Sequence, residues 1–357
     1  ILKSTGVLLS LVGHHLLRLK QWTKNKSQVL QQMQQVCIYL GNKPGEGLFV
    51  ADEQCFWKLK NNVDRPESRG NKWGGKMSNS LGFRNPEFSL DKAKSTRRIV
   101  CYGDSTTFGF GVRMHESWPA LLECDLNRTG SSPVEVVNAG VPGYSIFQGN
   151  RYLARSLPQL APDLVIATFG NNDAWRWDDR SDREHAARRR RGSVRWNWRR
   201  SRALTAFSKL TTPCLDSVST TDAAWARRVS SNFFQPVAAW RPRVNLQEFA
   251  DNLDKMVRVC HDRGIQLVLL VWPDYFQVQG RLTIRNRYQD LIRRTADRHD
   301  GVGCVDLLPV FRSRYPASLQ YYLDQDIIHI NAAGNTVVAA TIRQLLQEIL
   351  PLADARR

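Results

Sequence analysis

The sequence predicts an α/β domain built on a doubly wound sheet of five parallel strands with flanking helices, and three observations lead there. Five short runs rich in Val, Ile and Leu recur along the chain, each bounded by Gly, Pro, Asn or Asp. Amphipathic helical patterns separate them. The polar and glycine-rich clusters follow the runs directly, where open α/β sheets bind their ligands.

The runs are residues 98–102 (RIVCY), 134–138 (VEVVN), 163–169 (DLVIATF), 266–272 (QLVLLVW) and 302–307 (VGCVDL). Their apolar character is that of strands buried on both faces of a parallel sheet. Helical patterns lie at 116–126, 148–157, 246–263, 287–298 and 335–350. The third places Phe249, Leu253, Met256, Val257 and Cys260 on one face and stops at Gly264, a natural C-cap, while Pro351 stops the last. Strand–helix alternation of this kind closes into a sheet through right-handed crossovers.

Two stretches break the alternation and set the domain boundaries. The α/β domain takes residues 98–352, and residues 1–97 form an N-terminal segment. Within that segment 61–86 is polar and Gly-rich, an extended lead-in laid over the core. Residues 7–17 (VLLSLVGHHLL) are apolar but fall short of the ~18–20 residues that a membrane span needs. They read either as a packing helix or as the tail of a membrane anchor or signal sequence, followed by a basic stretch at 18–26. The chain opens on Ile1, which fits a start inside a longer product or after processing. Under the second reading the protein associates with a membrane through its N-terminus and works outside the cytoplasm.

Residues 174–245 are an insertion between the third and fourth strands. Its part at 176–202 holds eleven arginines, with Trp175, Trp177, Trp196 and Trp198 in or beside it. It reads as a solvated loop, or as a surface that meets a polyanionic or sugar-based ester with tryptophans stacked on sugar rings. Specific nucleic-acid binding is not expected.

Composition narrows the classes further. At 42% hydrophobic and 24% charged residues the chain is an ordinary globular one, so disorder is excluded as its general state. Lys and Arg number 51 against 33 Asp and Glu, a net charge of +18 that favours anionic partners. The seven cysteines form no C-x-x-C and no Cys/His cluster, so neither a structural zinc site nor a redox pair is expected. Cys101 and Cys304 lie in apolar runs and are expected to be small core residues.

The clusters after the runs supply the chemistry. Gly103-Asp104-Ser105-Thr106 follows the first, Asn138-Ala139-Gly140-Val141-Pro142-Gly143 closes the second, and Gly170-Asn171-Asn172-Asp173 follows the third. Asp326-Ile327-Ile328-His329 precedes the last helix. A serine hydroxyl becomes a nucleophile when a base takes its proton, and His is poised for that near neutral pH. Asp326, three residues before His329, can fix the imidazole from the same turn. The oxyanion of a tetrahedral intermediate needs donors, here the N–H groups of Ser105 and Gly143 and the amide of Asn172. Gly140 is the rival to Gly143. Asp104 reads as structural, with Gly170 and Asp173 supporting the loop around Asn172.

Together these segments resemble the four sequence blocks of the SGNH/GDSL hydrolase superfamily. Ser105 matches the nucleophile, Gly143 and Asn172 the oxyanion-hole residues, and Asp326 and His329 the rest of the triad. Residues 79–87 (NSLGFRNPE) are similar to the lead-in of some bacterial members. Thr106 departs from the Leu of the family name, and Thr107 stands where the G-x-S-x-G elbow of α/β-hydrolases has its second Gly. The resemblance implies a flavodoxin-like five-stranded sheet and an acyl-ester substrate, carbohydrate or anionic ones included. It implies a covalent acyl-enzyme and neither metal nor organic cofactor. Its alternatives are a polysaccharide O-acyltransferase and a non-catalytic module that binds anionic polymers through the arginine-rich insertion.

Overall fold

The computed structural model describes residues 47–65, 74–130, 132–175, 180–190, 241–323 and 326–349. The chain divides into two compact units, 1–49 with 194–219 and 50–193 with 220–357. All described residues except 47–49 belong to the second unit. The apolar stretch 7–17 and residues 176–179 and 191–240 of the insertion lie outside the described residues.

Nine strands and nine α-helical segments follow in order among the described residues. β1 (Phe49–Asp52) and β2 (Phe56–Leu59) form one two-stranded sheet, and β3 (Asp64–Arg65) pairs antiparallel with β4 (Gly75–Lys76). Then come β5 (Arg97–Gly103), α1 (Ser105–Phe108), α2 (Trp118–Thr129), β6 (Val134–Gly140), α3 (Ile146–Leu160) and β7 (Leu164–Thr168). The root of the insertion contributes α4 (Asp182–Arg190). The rest are α5 (Leu246–His261), β8 (Gln266–Val271), α6 (Tyr275–Val278), α7 (Arg285–Arg298), β9 (Val302–Asp306), α8 (Leu307–Arg312) and α9 (Ala332–Ile349).

The five predicted runs are the five strands of one parallel sheet, in the order β6-β5-β7-β8-β9. That is the flavodoxin-like doubly wound order. The chain leaves β5 toward one side and returns past it to β7, so the strand order reverses at β5. The C-terminal ends of β5, β6 and β7 therefore converge on one crevice, with Gly103 of β5 in register with Gly140 of β6 and Thr168 of β7.

The helices form where their patterns placed them. α5 buries Phe249, Leu253, Met256, Val257 and Cys260, the predicted face, and starts in a capping box between Asn245 and Glu248. Gly264 turns the chain out at φ +64, three residues past the last helical one. α3 runs longer than its pattern, to Leu160, because Pro158 falls in the last turn and removes only one ladder bond. The short segments α1, α6 and α8 escape a periodicity reading, since a turn or so carries no repeat.

Burial departs from expectation at one edge. β9 is the last strand of the sheet and is mostly half-buried, so Cys304 is half-buried while Cys101 in β5 is fully buried. The other edge, β6, is covered by the lead-in. Asn85 donates Nδ2–H to the Val136 carbonyl at 2.9 Å and its Oδ1 accepts the Asn138 N–H at 2.6 Å. The Arg84 N–H reaches the Asn138 carbonyl at 3.2 Å. Residues 84–85 thus act as a stub of a sixth strand and satisfy an edge that would otherwise invite association. Among the described residues no helix is long and apolar enough to cross a membrane.

Candidate active site

β5 delivers Asp104 and Ser105 to the crevice. Asp104 caps α1, its Oδ1 accepting the Thr106 N–H and the Thr106 hydroxyl, both at 2.8 Å. Thr106, the residue that departs from the family name, is thereby a ligand of the cap. Asn138 of β6 ties the same turn from below, donating Nδ2–H to the Thr107 carbonyl at 2.9 Å.

Asp326 and His329 approach from the loop before α9. The Leu323 N–H donates to the His329 carbonyl at 2.9 Å and the Asp326 N–H to the Leu323 carbonyl at 3.0 Å, which closes the loop. The indole Nε1 of Trp272, just past β8, donates to the Ile328 carbonyl at 2.8 Å and docks the loop on the sheet. A single Asp326 oxygen, Oδ1, accepts the N–H groups of Ile328 and His329 at 2.8 and 2.9 Å.

The three side chains form one hydrogen-bonded chain. His329 Nδ1 lies 2.7 Å from Asp326 Oδ2, and His329 Nε2 lies 2.7 Å from Ser105 Oγ. Ser105 and His329 are 7% and 9% exposed, so the pair is sheltered yet reachable. The ring of Phe110 lies 4.8 Å from the imidazole, centroid to centroid. Burial works against charge on His329, but the Asp326 carboxylate outweighs it and holds the imidazole above its ordinary value. Burial likewise pushes the Asp326 carboxyl up, and His329 with the two N–H donors overcomes it, leaving the group below the usual range. A hydroxyl placed like this can pass its proton to Nε2 as it attacks, with the resulting imidazolium facing a carboxylate.

The residues expected to serve an oxyanion lie on the loops that follow β5, β6 and β7. Gly140 and Gly143 are separated by their N–H groups. The Gly140 N–H donates to Asn138 Oδ1 at 3.0 Å, and a Cβ there would stand 2.3 Å from the Phe108 nitrogen, so Gly140 serves close packing of β6 on α1. The N–H groups of Ser105 and Gly143 have no acceptor among the described residues. Asn172 Nδ2 donates to Asp104 Oδ2 at 2.9 Å and to the Tyr144 carbonyl at 3.1 Å. Its amide is thus anchored between the turn that carries Ser105 and the loop that carries Gly143.

Asp104 is fully buried, and burial raises its carboxyl against the pull of Thr106. Asp173 staples two loops, its Oδ1 accepting the Ile146 N–H at 2.9 Å and its Oδ2 the Gly170 N–H at 2.8 Å. Burial pushes the Asp173 carboxyl up to about 7 despite those donors. Hydrogen bonds thus link Ser105, His329 and Asp326, and tie Asn172 to Asp104, with Gly143, Gly170 and Asp173 on the adjoining loops. Three further ones, Trp57, Asp182 and Arg243, stand behind the Gly143 loop and had no sequence signal of their own. Arg243 is one of many arginines in its stretch, and Asp182 reads as an ordinary helix start. No group of three His, Cys, Asp or Glu side chains among the described residues could hold a metal.

The doubly wound parallel sheet defines an α/β protein, with a hydrogen-bonded Ser–His–Asp chain between the turn after β5 and the loop before α9. Within that class the chain belongs to the GDSL-like Lipase/Acylhydrolase family, whose profile matches residues 101–337. It is 33% identical over 90 residues to an arylesterase of Vibrio mimicus, a match covering 25% of this chain and 44% of that protein. It is 33% identical over 85 residues to thioesterase 1/protease 1/lysophospholipase L1 of Escherichia coli K12, covering 24% and 39%. The chain thus spans less than half the length of these curated relatives. Among solved structures it is similar to a lipase/acylhydrolase from Enterococcus faecalis, at 18% identity and a TM-score of 0.44, covering 71% of this chain and 96% of that one. It is also similar to the acetyl xylan esterase AlAXEase, at 17% identity and a TM-score of 0.45, covering 70% and 99%.

Proposed function

We propose that the protein hydrolyses carboxylic esters through a covalent acyl-enzyme on Ser105. The observation that carries this reading is the unbroken chain Ser105 Oγ–His329 Nε2 and His329 Nδ1–Asp326 Oδ2, both at 2.7 Å. Membership of the GDSL-like family supports it.

The steps follow from the geometry. Ser105 Oγ attacks the ester carbonyl carbon while its proton moves to His329 Nε2. The carbonyl oxygen becomes an oxyanion, met by the N–H groups of Ser105 and Gly143 and by the Asn172 amide once it exchanges its bond to the Tyr144 carbonyl for one to the substrate. His329 then protonates the departing alkoxide, which leaves as the alcohol and gives acyl-Ser105. Water attacks the acyl carbon with His329 taking its proton, and collapse returns that proton to Ser105 as the carboxylic acid departs. Asp326 keeps Nδ1 protonated throughout, so Nε2 is the basic nitrogen at rest.

The test is p-nitrophenyl acetate hydrolysis between pH 5 and 9. The Ser105→Ala protein is expected to lose activity by orders of magnitude, in the range of ~10⁶ seen when a triad serine is removed. The working base is neutral His329, so kcat/KM rises with pH through the imidazole titration. Because Asp326 raises that titration, the half-maximal point lies above the ordinary histidine value of 6.5. Wild-type turnover in Ser105→Ala would overturn the reading.

A further inference from the structure

The Gly143 N–H sits in a tight turn whose geometry is held from behind. The Tyr144 N–H donates to the Val141 carbonyl at 3.1 Å, Pro142 takes the second position, and Gly143 takes the third at φ +82. These are the marks of a type II turn. In the commoner type I turn the third residue has negative φ and the central peptide is turned over, so the Pro142–Gly143 N–H would face the other way. Which flip state is populated therefore decides whether Gly143 offers a donor.

Two side chains hold that state, each through a backbone oxygen flanking Gly143. The indole Nε1 of Trp57, in β2, donates to the Pro142 carbonyl at 3.1 Å. In a trans peptide the C=O and N–H point in opposite directions, so pinning this oxygen aims the Gly143 N–H away from Trp57. Arg243 Nη1 donates to the Gly143 carbonyl at 2.7 Å, which pins the next peptide. The Trp57 ring also fills the space that a side chain at position 143 would need, 3.2 Å from a Cβ built there.

Both clamps are themselves fixed. Arg243 and Asp182 have side chains 1% and 3% exposed and form a two-point ion pair, Nε to Oδ1 at 3.1 Å and Nη2 to Oδ2 at 2.9 Å. Gln148 Oε1 accepts a further Arg243 bond at 2.5 Å, and the Ser145 hydroxyl donates to Asp182 Oδ2 at 2.5 Å. Tyr144 donates its hydroxyl to the Trp57 carbonyl and meets the indole edge-on at 5.7 Å. A donor bound to the Pro142 oxygen also polarises that peptide and strengthens its N–H as a hydrogen-bond donor.

We infer that Trp57 and Arg243 are positioning residues of the oxyanion hole, locking the Pro142–Gly143 peptide in the flip state that presents the Gly143 N–H to the substrate. This rests on the proposed ester-hydrolase reading. The lead-in, which precedes the family's sequence blocks, and the roots of the insertion, which interrupts them, then share one task in the reaction.

The test compares Trp57→Phe, Arg243→Lys and Ser105→Ala with wild type. Trp57→Phe keeps an aromatic body and removes the indole N–H. Arg243→Lys keeps the charge opposite Asp182 and loses the planar fork that serves three acceptors. Each is expected to lower kcat on p-nitrophenyl acetate about tenfold, a fraction of the 10²–10³ that removal of a whole oxyanion donor costs. KM should stay within about twofold. Affinity for methylboronic acid, whose tetrahedral adduct on Ser105 needs the same donors, should fall in proportion to kcat. A general loosening of the fold would lower the melting temperature without coupling kcat to boronate affinity. Wild-type kcat in both variants, or a loss confined to KM, overturns the inference while an inactive Ser105→Ala protein leaves the ester-hydrolase reading standing. Wild-type turnover in Ser105→Ala removes both. Having two variants keeps the test decisive if one fails to fold.

Discussion

The two halves of the site are built in different ways. In the Ser–His–Asp half each member is oriented within its own turn, Asp326 and His329 sharing one and Ser105 starting the helix that Asp104 caps, and the His329 Nε2–Ser105 Oγ bond joins the two turns over 224 residues. Much of the bonding that shapes each turn is local, such as the Thr106 N–H to Asp104 and the Ile328 N–H to Asp326. The oxyanion half is held across the whole chain. Trp57 reaches Pro142 over 85 residues, and Arg243 reaches Gly143 over 100. Asn172 spans 68 residues to Asp104. Local turns orient the carboxylate, imidazole and hydroxyl that the fold then brings together, whereas the Gly143 peptide is gripped from outside its own loop.

Three substitutions sharpen this contrast, beyond the Ser105, Trp57 and Arg243 variants. The largest effect is expected on the locally built half. Asp326→Asn keeps the shape of the turn but removes the anion opposite His329 Nδ1 and favours the wrong imidazole tautomer. A fall in kcat of ~10⁴ is expected, with a melting temperature near that of wild type. If kcat falls less than tenfold, the turn alone orients His329 and the carboxylate is dispensable.

Asn172→Ala removes one oxyanion donor and leaves Asp104 without its Oδ2 partner. It should lower kcat by ~10²–10³, with Ser105 and His329 still able to form acyl-enzyme slowly. Acylation measured by mass spectrometry after brief exposure to p-nitrophenyl acetate distinguishes a slowed site from a dead one. An unchanged kcat would mean that Asn172 only braces Asp104 and Tyr144.

The smallest expected effect on chemistry, and the clearest on stability, belongs to Asp182→Asn. It leaves Arg243 charged and buried without its carboxylate. Breaking one partner of a buried pair costs ~3–5 kcal/mol, read from denaturant unfolding of the protein. By contrast, removing Lys76 from its exposed pair with Glu87, where the two side chains are 44% and 50% exposed, should change stability by under ~1 kcal/mol. Equal costs for the two would show that the Asp182–Arg243 pair is not the clamp its burial suggests.

Much of the fold was legible because parallel strands buried on both faces leave continuous apolar runs, and amphipathic helices leave a 3.6-residue repeat. All five strands of the sheet and the buried face of α5 followed from those patterns. β9 was misjudged in burial since a run such as VGCVDL looks alike at the centre and at the edge of a sheet. The candidate site was legible for a related reason. Ser105, Gly143 and Asn172 follow strands and are each marked by the run before them, while Asp326 and His329 are marked by the start of the last helix.

What the sequence by itself determined is the set of candidate groups and the places that carry them: Ser105, Gly143 and Asn172 after strands, Asp326 and His329 before the last helix. It also determined the strand–helix alternation that brings them to one side of a sheet. Only the tertiary structure decided how they are held. It distinguished Gly143 from Gly140 by which N–H lacks an acceptor, gave Asp104 to Asn172 and Thr106, and set Trp57, Asp182 and Arg243 behind the Gly143 peptide. The physical reason is range. A periodic pattern reports which face a residue turns to the core, whereas a hydrogen bond between positions 57 and 142 leaves no trace at either one until the chain has closed between them.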